Sequence, residues 1–302
     1  MGIDHILLLE NPAHVSIDTG RLRIRKPECP DAFFAPGDVA AVIFDHNDIS
    51  ISHGALRKIA ESGSTLVITN ERHIPCAQII SDNANSLTVK RIRGQISHEG
   101  SAQAGLLWKS IVEVRLKTEA CNLRRLKLSG ALHLERLCEQ ILPGDPTNVE
   151  ANAARYYWPR LFKDFIRTKR GAEDPINTRL NYGYAVLRAI VTKELVALGL
   201  NPGIGIKHRN ATNTMNLADD LMEPFRFVVE HQVSKLNLDV EFKGHAKLDV
   251  LGFLHSSISS AGFNYRLIPA IRELAVSYIR VLEGRTECLA LPTGWGRDEF
   301  EE

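Results

Sequence analysis

Apolar positions recur with a short, strand-like period over the first third of the chain and with a helical period over the remainder. Residues 6–9 form an apolar run, and residues 14–24 alternate across Asp18-Thr19-Gly20, the composition of a hairpin turn. Residues 39–44 and 49–51 read as a second pair across Asp45-His46-Asn47-Asp48. Ser52 is placed to cap a short helix over 53–61 that ends at Gly63. Residues 64–69 and 76–80 read as further strands. One helix inserted among strands predicts a small twisted sheet with a helix at one edge. Titratable groups are not concentrated here, so this part reads as a scaffold or dimerisation domain.

The pattern changes over 89–100, where Lys90, Arg91 and Arg93 precede Gly94, the composition of a linker. From there to about residue 283 the period is helical. Leu106, Leu107, Ile111 and Val114 mark one helix, with Arg115 and Lys117 expected on its outer side. A second, over 128–141, is stopped by Pro143-Gly144-Asp145-Pro146. Thr147 and Glu150 then have the spacing of a capping box, in which Glu150 would merely hold a helix start. Pro175 opens a long helix to 198, and 227–236, 249–258 and 267–282 follow. The tail is acidic and poor in apolar residues, and disorder is expected from about 294. The fold class is α+β: a β-rich domain over 1–95, then a larger all-helical domain over 96–302.

Composition narrows the function classes. With 302 residues, 44% hydrophobic and 24% charged, the chain can bury two cores. No apolar run approaches the roughly 18–20 residues of a membrane span, and the N-terminus lacks the basic segment of a signal peptide. The five cysteines are scattered without a C-x-x-C pair, which fits a reducing cytoplasm and no thiolate zinc site. A net charge of +1 gives no overall field for nucleic acid, so phosphate affinity must come from local patches.

The stretch 199–226, GLNPGIGIKHRNATNTMNLADDLMEPFR, concentrates chemistry. A Gly/Pro-rich turn delivers His208, and a helical pattern follows with Asp219, Asp220 and Glu223. Residues three apart on a helix are neighbours, so Asp220 and Glu223 could offer oxygen ligands beside His208. Mixed imidazole and carboxylate sets suit several divalent metals. Acidic residues in a first helical turn also stabilise the positive end of the helix dipole, and a lone loop histidine is more often solvated.

Three segments together resemble one family: Asn148-Val149-Glu150 through Trp158, Leu180-Asn181-Tyr182-Gly183-Tyr184 through Leu187, and 199–226. They are similar to the universal CRISPR adaptation integrase/endonuclease family, in the compact form of type II systems. The resemblance implies a metal-dependent DNA endonuclease/integrase that inserts spacers into a CRISPR array by 3′-hydroxyl transesterification. It implies Glu150 and His208 as metal ligands, with Glu223 favoured as the third and Asp220 adjacent, all four catalytic, around Mg²⁺ or Mn²⁺. Expected partners are double-stranded DNA (protospacer and repeat), a second copy in a homodimer and the small ferredoxin-like adaptation subunit. The large RNA-guided nuclease of the same system is a further candidate. Arg160, Lys163, Arg167, Lys169 and Arg170, with Lys207 and Arg209 flanking His208, are candidates for tracking DNA phosphates, or else a solvated basic face. The competing readings are a general metal-dependent nuclease on branched DNA and a non-catalytic DNA-binding scaffold of the integration complex.

Overall fold

The computed structural model describes residues 5–71, 73, 75–81, 86–168, 174–260 and 262–296. The β-rich part holds β1 (His5–Leu9), β2 (Ala13–Asp18), β3 (Arg21–Arg25), β4 (Ala32–Phe34), β5 (Val39–Phe44), β6 (Ile49–Ile51), α1 (His53–Glu61), β7 (Thr65–Thr69) and β8 (Pro75–Ile79). These strands form two sheets rather than one, ordered β1-β5-β7-β8 and β4-β3-β2-β6.

The hairpin of β2 and β3 is present, with Val15 opposite Ile24 and Ile17 opposite Leu22. The expected pairing of 39–44 with 49–51 is not. β5 lies between parallel neighbours β1 and β7, while β6 joins β2 in the other sheet. The reason is visible in β5, whose six residues are all buried. A strand covered on both faces belongs inside a parallel sheet, not at a hairpin edge. Asp45 to Asp48 therefore crosses between sheets. Asp45 itself is buried, and so overturns the expectation that this part gathers no titratable groups: its carboxylate accepts from Lys247 and meets His73 Nδ1 at 2.9 Å.

The remainder comprises α2 (Thr88–His98), α3 (Ala102–Arg125), α4 (Ala131–Cys138), α5 (Val149–Leu161), α6 (Pro175–Ala197), α7 (Asn216–Met222), α8 (Arg226–Ser234), α9 (His245–Leu251), β9 (Ser257–Ser260), β10 (Phe263–Arg266), α10 (Leu267–Leu282) and β11 (Pro292–Trp295). The α+β class holds, with a small antiparallel sheet β10-β9-β11 inserted in the helical part. Residue 95 falls inside α2, so the expected linker is a helix. Lys90 and Arg93 face outward, Arg91 donates to Leu198 O, and Gln95 and His98 are buried against neighbours. Residues 294 and 295, expected to be disordered, pair with β9, and Trp295 Nε1 donates to Asn122 Oδ1 at 3.2 Å; 297–302 lie outside the described residues.

One hydrophobic core runs through the helical part and takes in Ala40, Ile43 and Val67 from β5 and β7. A second, smaller core, with Val15, Leu22, Val42 and Leu66, lies between the N-terminal sheets and α1. The β-rich part is thus seated on the helices by one sheet face. Among the described residues no helix is long and apolar enough to cross a membrane.

Candidate active site

Three segments bring the acidic and imidazole groups together: the start of α5, the loop after α6 and the junction of α7 and α8. At the start of α5, Asp145 and Asn148 both have positive φ, 48° and 55°, which folds the Pro143–Pro146 turn back on itself. The buried Asp145 carboxylate then caps the helix, accepting from Val149 N at 2.8 Å and Glu150 N at 3.1 Å. The expected Thr147–Glu150 capping box is replaced by this arrangement, and the Glu150 side chain is released from capping duty. It reaches Arg115 Nη1 instead.

The second segment is the loop after α6. Gly199, at φ 68°, ends the helix, with Leu200 N donating to Leu195 O at 2.9 Å. Gln95 of α2 clamps the loop from beneath, donating to Asn201 O and Ile204 O and accepting from Asn201 N at 2.9 Å. Asp220 of α7 is fully buried and holds the next turn. Its Oδ2 accepts from Ile206 N at 2.7 Å and Lys207 N at 2.8 Å, and its Oδ1 lies 2.5 Å from His208 Nδ1. A side chain at 205 could not be accommodated, because its Cβ would stand 2.4 Å from His208 O and 2.8 Å from Asp220 Oδ2. The glycine lets the carboxylate reach the backbone.

An ionised carboxylate only accepts, so Nδ1 of His208 carries a proton, and in the neutral imidazole Nε2 keeps the lone pair. The hydrogen bond to Asp220 raises the His208 pKa above its ordinary value, against the opposing effect of burial. Burial pushes the Asp220 carboxyl upward, while His208 and the loop amides hold it down. Trp108 of α3 meets the imidazole edge-on, with centroids 5.5 Å apart.

The third segment is the junction of α7 and α8. Pro224 lacks an amide hydrogen, and the helix tightens to a 3₁₀ turn over Glu223–Phe225. Glu223 is turned away from Asp220 as a result. Its Oε1 accepts from Arg226 Nη1 at 2.9 Å and its Oε2 lies 2.8 Å from Arg115 Nη1. Asp220 and Glu223, expected to offer their oxygens side by side, serve different partners. Asp219 faces Arg188, whose Nε lies 2.8 Å from its Oδ1.

Arg115, expected on the outer side of its helix, is 5% exposed. Glu150 and Glu223 converge on the same nitrogen of its guanidinium, and Glu119 Oε1 lies 3.2 Å from its Nε. Burial is the largest single influence on Arg115 and lowers its pKa, but the surrounding carboxylates together outweigh it and raise the value; burial pushes the Glu119 carboxyl up to about 8. Among the described residues no three His, Cys, Asp or Glu side chains are gathered as a ready metal cage. A cleft of about 560 Å³ opens beside this cluster, lined by His208, Glu223, Arg226, Arg167, Arg188 and Asn213 among others.

The basic candidates divide. Lys163 is exposed. Arg167 is committed to Asn177 Oδ1 and Asn181 Oδ1, both at 2.7 Å, and burial lowers its pKa. Arg160 covers the ring of Tyr156, Lys207 Nζ donates to Gly144 O at 2.6 Å, and Arg209 Nε lies 3.5 Å from Glu99 Oε1. Lys169 and Arg170 lie outside the described residues. Arg115, Gln95 and Asp145 are the contributors that residue patterns did not single out for the site.

The family model described as CRISPR associated protein Cas1 matches residues 6–241. A CRISPR-associated endonuclease Cas1 of Neisseria meningitidis serogroup C (strain 8013) is 29% identical over 280 residues, covering 90% of each chain. Among solved structures, a casposase bound to integration product aligns with a TM-score of 0.79 at 21% identity, covering 94% of this chain and 92% of that one. A Cas6-RT-Cas1–Cas2 complex aligns with a TM-score of 0.70 at 17% identity over 94% of this chain and 35% of that one. The chain belongs to the Cas1 family.

Proposed function

We propose that this protein is a metal-dependent DNA endonuclease/integrase that joins a donor 3′-hydroxyl to a phosphodiester of the CRISPR repeat. The observation that carries this is the convergence of Glu150 and Glu223 on one nitrogen beside an imidazole whose Nδ1 is held by Asp220. Carboxylate-held histidines are the usual form of a metal ligand, because the partner fixes the tautomer. The donor chemistry, two carboxylates and one imidazole, fits Mg²⁺ or Mn²⁺, with the nitrogen favouring Mn²⁺. Glu150, Glu223 and Nε2 of His208 would hold the ion, which supplies Lewis-acid polarisation of the scissile phosphate and of the attacking hydroxyl.

The chain's own residues do the rest. Asp220 keeps the His208 proton on Nδ1, and Asp145 holds the first turn of α5 so that Glu150 is presented. Arg226 faces the cleft, with a guanidinium suited to phosphate charge. One phosphodiester forms as another breaks, so neither an external energy source nor a side-chain nucleophile is required.

Partners follow from the same reading. Protospacer and repeat DNA would lie over the cleft, guided by exposed bases such as Lys163. The small ferredoxin-like subunit would bridge two dimers built through residues 1–95. The Cas1–Cas2 assembly among similar folds supports the former, and a truncation beginning near residue 96 should be monomeric by light scattering. The test of function is strand joining on a branched DNA substrate with Mn²⁺. Glu150→Ala, His208→Ala and Glu223→Ala should each abolish joining while retaining DNA binding. A wild-type protein that binds the branch and leaves it intact is the scaffold of the alternative reading. Cleavage of branches without joining favours a general nuclease.

A further inference from the structure

Arg115 is placed oddly for a structural arginine. A guanidinium frequently pairs with a carboxylate in a bidentate fork. Here a single nitrogen, Nη1, receives a carboxylate from each of two segments distant in sequence, Glu150 of α5 and Glu223 at the α7–α8 junction. The opposite side of the group is tethered, with Nε at 3.2 Å from Glu119 one turn along the same helix. The group therefore has a fixed edge and a hand that reaches into the acidic pair.

The charges around it are unequal. Two guanidiniums, Arg115 and Arg226, face the carboxyl groups of Glu150, Glu223 and Glu230, and that of Glu119, which burial biases toward its neutral form. Buried carboxylates that share a site repel one another unless a cation lies between them. Arginine remains charged in proteins, so it cannot yield its place by losing a proton. It can yield by rotating.

Resting on the metal reading above, we propose that Arg115 is a positioning residue. Its Nη1 acts as a resident counter-cation that holds Glu150 and Glu223 together before metal binds, and competes with the ion for both. Binding of a divalent ion withdraws Nη1 from the pair while Nε stays with Glu119. The arginine thereby sets an upper limit on metal affinity and keeps the carboxylates gathered when the ion is absent.

The test compares wild type, Arg115→Met and Arg115→Lys by Mn²⁺ titration calorimetry and by thermal unfolding in EDTA and in saturating Mn²⁺. Losing a competing charge-assisted contact should tighten Mn²⁺ binding by about tenfold or more in Arg115→Met. Its unfolding temperature should fall in EDTA, and Mn²⁺ should restore more than it adds to wild type. Arg115→Lys, which keeps the charge but loses the tether geometry, should fall between the two. A merely structural arginine would lower stability equally in EDTA and Mn²⁺, with unchanged or weaker Mn²⁺ affinity; that result overturns the inference. If Arg115→Met folds in neither condition, Arg115→Lys decides: Mn²⁺ affinity no tighter than wild type refutes the proposal. Failure of the wild type to bind Mn²⁺ at all refutes the metal reading, and the inference with it.

Discussion

Replacing Asp220 by asparagine should reverse the tautomer of His208. The carboxylate accepts the Ile206 and Lys207 amides on Oδ2, a longer hydrogen bond from His208 N at 3.3 Å, and the imidazole Nδ1 on Oδ1. An asparagine has one accepting oxygen. Facing it toward Ile206 N and Lys207 N satisfies two buried backbone donors, and leaves its amide NH₂ against Nδ1. Two donors cannot meet there, so the imidazole proton moves to Nε2, the atom assigned to the metal. The lost charge-assisted hydrogen bond costs about 1.5–3 kcal/mol of stability. Losing the partner that orients a metal histidine costs about 10–100-fold in metal affinity or activity. Long-range ¹H–¹⁵N spectra of histidine-labelled protein, recorded well above the raised His208 pKa, read the tautomer directly. Strand joining by Asp220→Asn should recover in part as Mn²⁺ rises, whereas Glu223→Gln should stay inactive throughout. An Asp220→Asn protein that keeps the Nδ1–H tautomer and wild-type Mn²⁺ affinity would refute the reasoning. Rescue of Glu223→Gln with a dead Asp220→Asn would make Asp220 the ligand.

Three further outcomes are expected. Asp145→Ala removes the cap of α5 and should cost about 1–2 kcal/mol in urea unfolding, with weaker Mn²⁺ binding because Glu150 sits in the freed turn. Lys247 is 1% exposed and joins Asp45 and Glu10 of the β-rich part to α9; Lys247→Met should cost about 3–5 kcal/mol, and an Asp45→Leu/Lys247→Met pair should recover much of it. His231, buried against Trp295, is held down to about 4 by burial, so its neutral form is the folded one. Its stabilising contribution is complete above the ordinary histidine value near 6.5 and is lost as pH falls toward 4, by at most about 3 kcal/mol. His231→Phe should flatten unfolding free energy across that window, and an unchanged slope would contradict it.

The site was legible in the sequence to the extent that its parts lie in short motifs. Glu150, His208 and Glu223 stand out through the family resemblance of their segments, while the helical spacing of Asp220 and Glu223 does not put their oxygens side by side. Arg115 does not stand out, for a physical reason. The helix α3 is buried on several sides, so apolar periodicity cannot tell a solvated arginine from one inside. Its partner Glu150 is 35 positions away, beyond any local pattern. Gln95 likewise reads as part of a polar linker until its hydrogen bonds to Asn201 and Ile204 are seen. The Thr147–Glu150 spacing offers a capping box that the fold does not use, because Asp145, bent by a positive φ, accepts from Glu150 N instead. In the β-rich part, strand positions were readable but pairing was not, since β5 and β6 are close in sequence yet belong to different sheets.

The central claim is that Glu150, Glu223 and His208 hold one divalent ion with Asp220 behind the histidine. Anomalous diffraction from crystals soaked in Mn²⁺ tests it most directly. The account predicts a single manganese peak contacted by the Glu150 and Glu223 carboxylates and by Nε2 of His208, with Arg115 Nη1 withdrawn and Asp220 still on Nδ1. A peak ligated by Asp220, or Mn²⁺-dependent strand joining in crystals-grade protein whose acidic pair stays closed on Arg115 with no ion between, would contradict it.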